Sequence, residues 1–176
     1  MDEAEVISRC QKQDVDAFEL IYRQYHQSLL RTAIRMLKQR QDAEDAVQTT
    51  FVKLYNNIAN FKFQSKFGTY LFRILLNTCF DALTKKKKTG TIPLPVSGPS
   101  IHTNAELRTS IEMAIENLPT QMRACFVLFA VEEFKQKEIA RIMDLSIGGV
   151  KANIYQAKCR LRAMLSESVM EAQNGL

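Results

Sequence analysis

The sequence predicts an all-α protein of two small helical domains joined by a flexible linker. Three observations carry that prediction. Apolar residues recur at helical spacing, as in Phe18, Ile21, Tyr22, Tyr25, Leu29, Ala33 and Leu37. Only six glycines and four prolines interrupt 176 residues that are 46% hydrophobic, a composition suited to buried helical cores. Three of the prolines, Pro93, Pro95 and Pro99, fall in 89–106, where no hydrophobic periodicity runs; this linker separates 1–88 from 107–176.

In the first domain the spacing predicts a helix over 16–37. Asp16 and Glu19 are three residues apart, a capping-box-like start with Asp in place of Ser or Thr. The tyrosines and His26 have no partner pattern that suggests catalysis, and are read as structural. A polar break, Lys38 to Gln41, leads to a second helix from about Asp42. Asp42, Glu44 and Asp45 crowd its first turn, where negative charge complements the helix dipole. Val47, Phe51, Leu54 and Ile58 form its buried stripe, while Asp45 and Gln48 share another face with Thr49 beside them. A short turn around Asn60 and a loop from Ser65 to Gly68 precede a helix capped by Thr69 that runs to about Leu83.

The stretch 61–88 concentrates charge. It holds Lys62, Lys66, Arg73 and Lys85 to Lys88 against the single acid Asp81, with Phe61, Phe63, Phe67, Tyr70 and Phe72 threaded among them. Cations track a phosphate backbone, and aromatic rings stack on unpaired bases. The competing reading of the same stretch is aromatic core plus a solvated helix end. A second basic block spans 135–165, with seven basic residues against Glu138 and Asp144. Two such blocks on a mildly charged body suggest two contacts with one polyanion.

The second domain opens with Thr103 and Glu106 in capping-box spacing, followed by Leu107, Ile111, Ala114, Ile115 and Leu118 on a helix. Pro119 suits the first turn of the next, whose apolar run ends at Val131. Two short segments follow, Lys135 to Met143 and Ile147 to about Leu165, separated by Asp144, Leu145 and Ser146. That turn length, with small Ala140 before it and Ser146 as N-cap after it, describes a helix-turn-helix. Val150, Ile154, Ala157, Leu161 and Leu165 form the inward face of the second helix. Lys151, Tyr155, Lys158 and Arg162 recur on the other side, flanked by Asn153, Gln156 and Arg160. Such a helix reads base edges in the major groove while its cations hold phosphates. Gly148 and Gly149 each cost about 1 kcal/mol relative to alanine, which softens that end.

Other classes are disfavoured. The longest apolar run, Ala124 to Val131, is too short to span a bilayer, and the start MDEAEV is unlike a signal peptide. Cys10, Cys79, Cys125 and Cys159 are scattered, so four reduced thiols in a cytoplasmic protein are expected rather than zinc or disulfides. With no nucleophile–base pair, metal cluster or phosphate loop, neither an enzyme nor a cofactor is expected.

The blocks DVDAFELIYRQY, DAEDAVQTTFVKLY, SKFGTYLFRILLNTCFDAL and EIARIMDLSIGGVKANIYQAKCRLR, in this order, resemble the sigma-70 family of bacterial transcription initiation factors. The similarity is greatest to the extracytoplasmic-function group and covers nearly the whole chain. It implies that 1–88 is a region 2-like bundle for core polymerase binding and −10 recognition and melting, and 107–176 a region 4-like domain for −35 recognition. Asp45 and Gln48 would then contact the β′ clamp helices of RNA polymerase, with the β subunit also a partner. Thr49 stands where many members have Glu, which removes one charged contact there. Phe61, Lys62, Lys66, Phe67, Tyr70, Arg73 and Asn77 would hold the single-stranded −10 element, Asn77 at a pocket for a flipped base and Tyr70 in place of the usual Trp. Ser146, Lys151, Ala152, Asn153, Tyr155, Gln156 and Lys158 would face the −35 element. Gly149, Ala152, Asn153 and Gln156 depart from the more usual Thr, Ser, Arg and Arg, which implies an unusual −35 preference and a weaker phosphate grip. The resemblance also implies an anti-sigma factor as a partner.

Two other readings stay open on the residues alone. A helix-turn-helix regulator would bind duplex DNA tightly without polymerase, usually as a dimer on a palindrome. A helical adaptor using its basic faces on RNA would show Asp45-dependent partner binding but no promoter preference.

Overall fold

A computed structural model describes residues 2–88 and 104–174, with the side chains of 2–88 and 110–166. Among the described residues there are eight α-helices, one 3-10 turn and no strand. The linker expected at 89–106 lies largely outside them, as does Thr103 of the expected capping box, and α5 (Asn104–Glu116) begins within its last residues.

The first helix, α1 (Glu3–Gln11), has no counterpart in the sequence reading. Its Val6, Ile7 and Cys10 are buried on one face. Gln11 ties it to the turn near Asn60, its Nε2 donating to the carbonyls of Ile58 at 3.2 Å and Phe61 at 2.8 Å.

The next helix, α2 (Val15–Leu37), is capped by Asp14 rather than by the expected Asp16. Asp14 Oδ1 accepts the Ala17 backbone N–H at 3.1 Å, and its Oδ2 takes Arg9 Nε at 2.8 Å. Asp16 sits too far into the helix to reach those orphan donors. Lys38 ends the helix in the left-handed region, φ 66°, with its N–H on the Ile34 carbonyl. The polar break is therefore shorter than expected, and α3 (Arg40–Asn57) begins two residues ahead of Asp42. The 3-10 turn Ile58–Asn60 follows. α4 (Phe67–Lys88) also starts early, so Thr69 lies inside it, buried, its Oγ1 without a hydrogen-bond partner, and does not act as the cap. The four lysines are helical, in the last turn, where cations suit the exposed carbonyls.

In the second half, α6 (Thr120–Ala130) starts directly after Pro119. α7 (Gln136–Met143) and α8 (Ile147–Asn174) form the helix-turn-helix, with Asp144 left-handed at φ 53°. Ser146 Oγ accepts the Gly149 N–H at 3.0 Å, the N-cap expected of it. α8 continues to Asn174, well past Leu165.

The helices α1 to α4 bury Leu29, Leu54, Leu71 and Leu75, among others. Leu128, Ile139, Val150 and Ile154 from α6, α7 and α8 join that same core, while Leu118, Val127, Ala157 and Leu161 form a smaller one. The two halves thus meet through apolar contact, including Phe72 against Phe134 with ring centroids 4.9 Å apart. Polar groups frame the seam. Arg35 pairs twice with Glu112, at 3.0 and 2.5 Å. Glu132 accepts from the hydroxyls of Ser28 and Thr32, and Lys66 pairs with Glu138 at 2.8 Å. Arg123, only 6% exposed, donates to the carbonyls of Arg35 and Met36 and to that of Leu118.

Asp14→Ala is expected to lower stability in urea unfolding, and Asp16→Ala to lower it clearly less. The Arg9 side chain and the Ala17 N–H hold the Asp14 carboxyl below its ordinary pKa. A depressed acid stabilises above its unfolded pKa and loses that contribution as pH falls through the folded one. The difference between wild type and Asp14→Ala should accordingly shrink on acidification below the usual carboxylate range.

Candidate nucleic-acid interface

Two separate surfaces combine cations with polar or aromatic side chains. The first is built where the end of α3, the 3-10 turn and the start of α4 converge on Tyr70. Lys53, Asn57, Asn60, Tyr70, Ile74 and Asn77 line a cleft of about 350 Å³. Asn60, Phe61, Lys62, Gln64, Ser65 and Tyr70 line a smaller one of about 200 Å³, which shares Asn60 and Tyr70 with the first. The larger is at the low end of small-ligand sites, with a flat ring on one wall and three amides that can both donate and accept. Burial raises the Tyr70 pKa, so its phenol stays protonated and can donate.

The aromatics of this stretch divide by burial. Phe61 is 7% exposed, Phe67 2% and Phe72 2%, so three rings expected among the cations face the core. Phe61 lies 5.0 Å from both the Phe63 and Tyr70 ring centroids, and Phe67 lies 6.4 Å from Tyr70. In this arrangement Phe61 and Phe67 are not offered to a base; they hold Tyr70 and Phe63 in place from behind. Phe63, 48% exposed, is the ring left at the surface. Lys62, Lys66, Arg73 and Asn77 are exposed around them, with Lys66 carrying its ion pair to Glu138.

Sequence reasoning did not find Lys53, Asn57 and Asn60 for this site. Lys53 and Asn57 sit in the last turns of α3, a helix whose strongest pattern is its apolar stripe, Asn60 lies in the turn that follows, and only the packing of α3 against α4 brings the three beside Asn77. Lys53 is oriented by α4, donating to Thr78 Oγ1 at 3.0 Å. The cluster of Asn56, Asn57 and Asn60 was the available signal.

On α3, Asp45, Gln48 and Thr49 are exposed along one face, which continues into exposed Val52 and Tyr55. An apolar and acidic strip of this kind can receive another protein. Asp42, Asp45, Thr49, Lys53, Asp81 and Lys85 border a shallow groove between α3 and α4, and Lys86 pairs with Asp42 across its end.

The second surface is α8. Val150, Ile154, Ala157 and Leu161 are buried as the spacing predicts. Ser146, Lys151, Ala152, Gln156, Lys158, Arg160 and Arg162 are exposed, and Tyr155 stands out with 70% of its surface free. Lys158 Nζ sits 5.0 Å from the Phe129 ring centroid, a cation–π contact that steadies a surface lysine. Asn153 is placed differently from the others: half-buried, its Nδ2 donates back to the Gly149 carbonyl at 2.9 Å. That bond holds the glycine-containing first turn rather than leaving the amide free for a base edge.

The cysteines are free thiols, with Cys10, Cys79 and Cys125 buried. Burial pushes the Cys79 thiol up to about 12 and that of Cys125 to about 11, which keeps both protonated and unreactive. Among the described residues no His, Cys, Asp and Glu cluster could hold a metal ion, and no helix is long and apolar enough to cross a membrane.

The chain is similar to known proteins along nearly its whole length. The family described as Sigma-70 region 2 matches residues 21–89, and Sigma-70, region 4 matches 108–161. The ECF RNA polymerase sigma factor SigW of Bacillus subtilis is 30% identical over 92% of this chain and 95% of its own. SigM of Mycobacterium tuberculosis, also an ECF RNA polymerase sigma factor, is 28% identical over 93% of this chain and 84% of its own. Among solved structures, CnrH in complex with the cytosolic domain of CnrY has a TM-score of 0.73 at 24% identity, covering 92% of this chain and 96% of that one. The sigma factor RpoE of Bartonella quintana, solved with the anti-sigma factor NepR, has a TM-score of 0.71 at 21% identity, with coverages of 85% and 96%. Both likenesses confirm the two-part helical fold.

The division of the aromatics is testable by stability alone. Phe61→Ala should lower the free energy of unfolding by about 3–5 kcal/mol, as for a buried ring, and Phe63→Ala by well under about 1. Urea denaturation of the two variants measures both.

Proposed function

The chain belongs to the extracytoplasmic-function group of RNA polymerase sigma factors, and from that premise we propose how its residues divide the work. Residues 1–88 form the region 2 unit, which binds core polymerase and recognises and opens the −10 element. Residues 89–106 are the linker, and 107–176 the region 4 unit that reads the −35 element. The observation that carries this reading is the pairing, in one chain, of the amide-lined cleft beside Tyr70 with the basic face of α8.

At the −10 element, a base leaving the duplex enters the cleft between Tyr70 and Asn77, with Asn57 and Asn60 offering donors and acceptors to its edge. Tyr70 and Phe63 supply stacking faces, while Lys62, Lys66 and Arg73 follow the backbone. Phe61 and Phe67 act from behind, by fixing Tyr70 and Phe63. At the −35 element, Lys151, Ala152, Tyr155 and Gln156 face base edges, Lys158 and the Ser146 end of the helix take phosphates, and Asn153 stiffens the first turn. Asp45, Gln48 and Thr49 engage the β′ clamp helices, with Val52 and Tyr55 extending that contact, and the β subunit is a further partner.

Magnitudes explain why such a protein works as a subunit. Opening about ten base pairs costs on the order of 14 kcal/mol, at a mean of about 1.4 per step. Each captured base returns only about 1–3 kcal/mol. The chain nucleates opening, and the polymerase around it supplies the rest together with all nucleotide chemistry; no catalytic step and no cofactor is assigned to the chain itself. It acts where the polymerase is, in the cell interior. An anti-sigma factor is a further expected partner, supported by the complex in which RpoE was solved with NepR.

Run-off transcription with core polymerase on a pool of promoter fragments tests the reading. Transcripts that depend on the protein and share two upstream motifs are expected; specific duplex binding by the protein alone, without transcripts, would favour the regulator instead. Replacing Lys151 and Lys158 by Gln should weaken binding to a −35 duplex and lower the slope of log affinity against log salt by about 1 for each phosphate no longer neutralised. Tyr70→Ala should reduce affinity for a −10 non-template strand presented to the holoenzyme by roughly 1–3 kcal/mol, read by fluorescence anisotropy.

A further inference from the structure

One amide fastens the first helix to the clefts beside Tyr70. Gln11, the last residue of α1, lies outside 21–89, the residues that match Sigma-70 region 2. Its Nε2 carries two N–H groups and has a partner for each: the carbonyl of Ile58 at 3.2 Å and that of Phe61 at 2.8 Å. These two carbonyls bracket the 3-10 turn, and between them stands Asn60, which lines both clefts with Tyr70. The Ile58 carbonyl also accepts the Phe61 N–H at 3.0 Å, so the turn is closed by its own backbone and held from outside by the amide. It leads straight to Phe63, left-handed at φ 55°, a conformation that a bulky residue keeps only where its surroundings impose it.

The helix that carries Gln11 is itself anchored at both ends. Near its start the Tyr25 hydroxyl donates to Glu3 Oε1 at 2.5 Å; burial and then this bond raise the Tyr25 pKa, so the phenol keeps its proton. Near its end Arg9 pairs at 2.8 Å with Asp14, the cap of α2. Val6, Ile7 and Cys10 are buried between these ties. Tyr25 also opens a second line to the same place. Its ring lies 5.7 Å from Phe67, Phe67 lies 5.6 Å from Phe61, and Phe61 lies 5.0 Å from Tyr70. One line thus reaches the backbone around Asn60 through an amide, and the other reaches Tyr70 through packed rings.

We infer that Gln11 is a positioning residue for −10 recognition, whose amide fixes Asn60 and thereby which base edges the clefts accept, without itself touching DNA or polymerase. This rests on the promoter reading. Reading a base edge needs donors and acceptors held to within about 0.5 Å, whereas stacking on a flat ring and the attraction of cations for phosphates tolerate more movement. Loss of the amide therefore leaves the affinity supplied by Tyr70, Lys62 and Arg73 largely in place. What it removes is selectivity among bases, because Asn60 no longer has one position.

Three variants of the full chain test the amide. Gln11→Met keeps the length of the side chain without a donor, Gln11→Glu keeps its shape but turns an acceptor on each carbonyl, and Gln11→Lys restores donors for both. Each is assembled with core polymerase for run-off transcription from a template library randomised over the −10 positions, and the transcripts are sequenced. Circular dichroism and urea unfolding report folding and stability separately, and Gln11→Glu carries the comparison if Gln11→Met does not fold. The ratio of best to worst base at the most selective −10 positions should fall about three- to ten-fold in Gln11→Met and Gln11→Glu, the size expected for losing one or two hydrogen bonds. It should return in Gln11→Lys, with the affinity of the free protein for a −35 duplex unchanged throughout. Lower stability with the −10 preference intact overturns the positioning role and leaves Gln11 a structural tie. A wild type without −10 preference, or a Gln11→Lys as unselective as Gln11→Met, overturns it too. Absence of protein-dependent transcripts with wild type overturns instead the promoter reading.

Discussion

The arrangement depends on one buried guanidinium. Arg123 of α6 reaches across to the last turn of α2 and donates to the carbonyls of Arg35 and Met36, while its other terminal nitrogen bonds the Leu118 carbonyl at the turn between α5 and α6. The end of a helix leaves carbonyls without internal partners and carries partial negative charge, so a cation placed there satisfies both needs at once. Burial works against the charge and lowers the Arg123 pKa, yet the Glu116 charge opposes that, and three carbonyls stand where water would otherwise solvate it. Its Nε has no hydrogen-bond partner, so even this residue is not fully satisfied. Nearby, Arg35 uses its side chain for Glu112 while its backbone serves Arg123, and Lys38 turns the chain away in a left-handed conformation. The terminus of α2 is thus where the two halves are joined.

A similar economy governs the surface around Tyr70. Aromatic rings placed among cations look from the sequence like a row of stacking platforms, but only some can be at the surface if the loop 61–66 is to have a fixed shape. Phe61 and Phe67 are committed to the core, where they pack on Tyr70, and Gln11 of α1 fastens the Phe61 carbonyl from the other side. The first helix therefore helps to set the position of the ring that borders both clefts. Rigid support of this kind fixes the half-buried Tyr70 ring between the two clefts.

The recognition helix shows the same division of labour on a smaller scale. Gly148 and Gly149 weaken the first turn, and the hydroxyl of Ser146 and the amide of Asn153 close around it from either side. Asn153 was expected at the DNA-facing register, yet it is half-buried and its amide is occupied by the Gly149 carbonyl. The charged part of the surface is left to Lys151, Lys158, Arg160 and Arg162, which reach outward from a well-buried inner stripe.

What the sequence by itself determined was whatever depends on local order along the chain. The period of Ile21, Leu29, Ala33 and Leu37 and of Val150 to Leu161 demanded helices with those faces inward, because leaving such stripes in water is costly, whereas Tyr22 of the same expected stripe is 44% exposed and Phe18 and Tyr25 are half-buried. Ser146 three residues before Gly149 dictated its cap, and the four ordered motifs were specific enough to identify the family. Boundaries were less legible: Asp14 took the cap from Asp16 because Arg9, one helix earlier, orients it, and Thr69 was drawn inside α4. Only the tertiary structure decided which aromatics are core and which are surface, that Asn57 and Asn60 join Asn77 in one cleft, and that α6 and α7 close on α2 and α4. Those outcomes turn on contacts between residues tens of positions apart, such as Arg35 with Glu112 or Phe72 with Phe134, whose pairing no local period encodes because it exists only once the helices have packed.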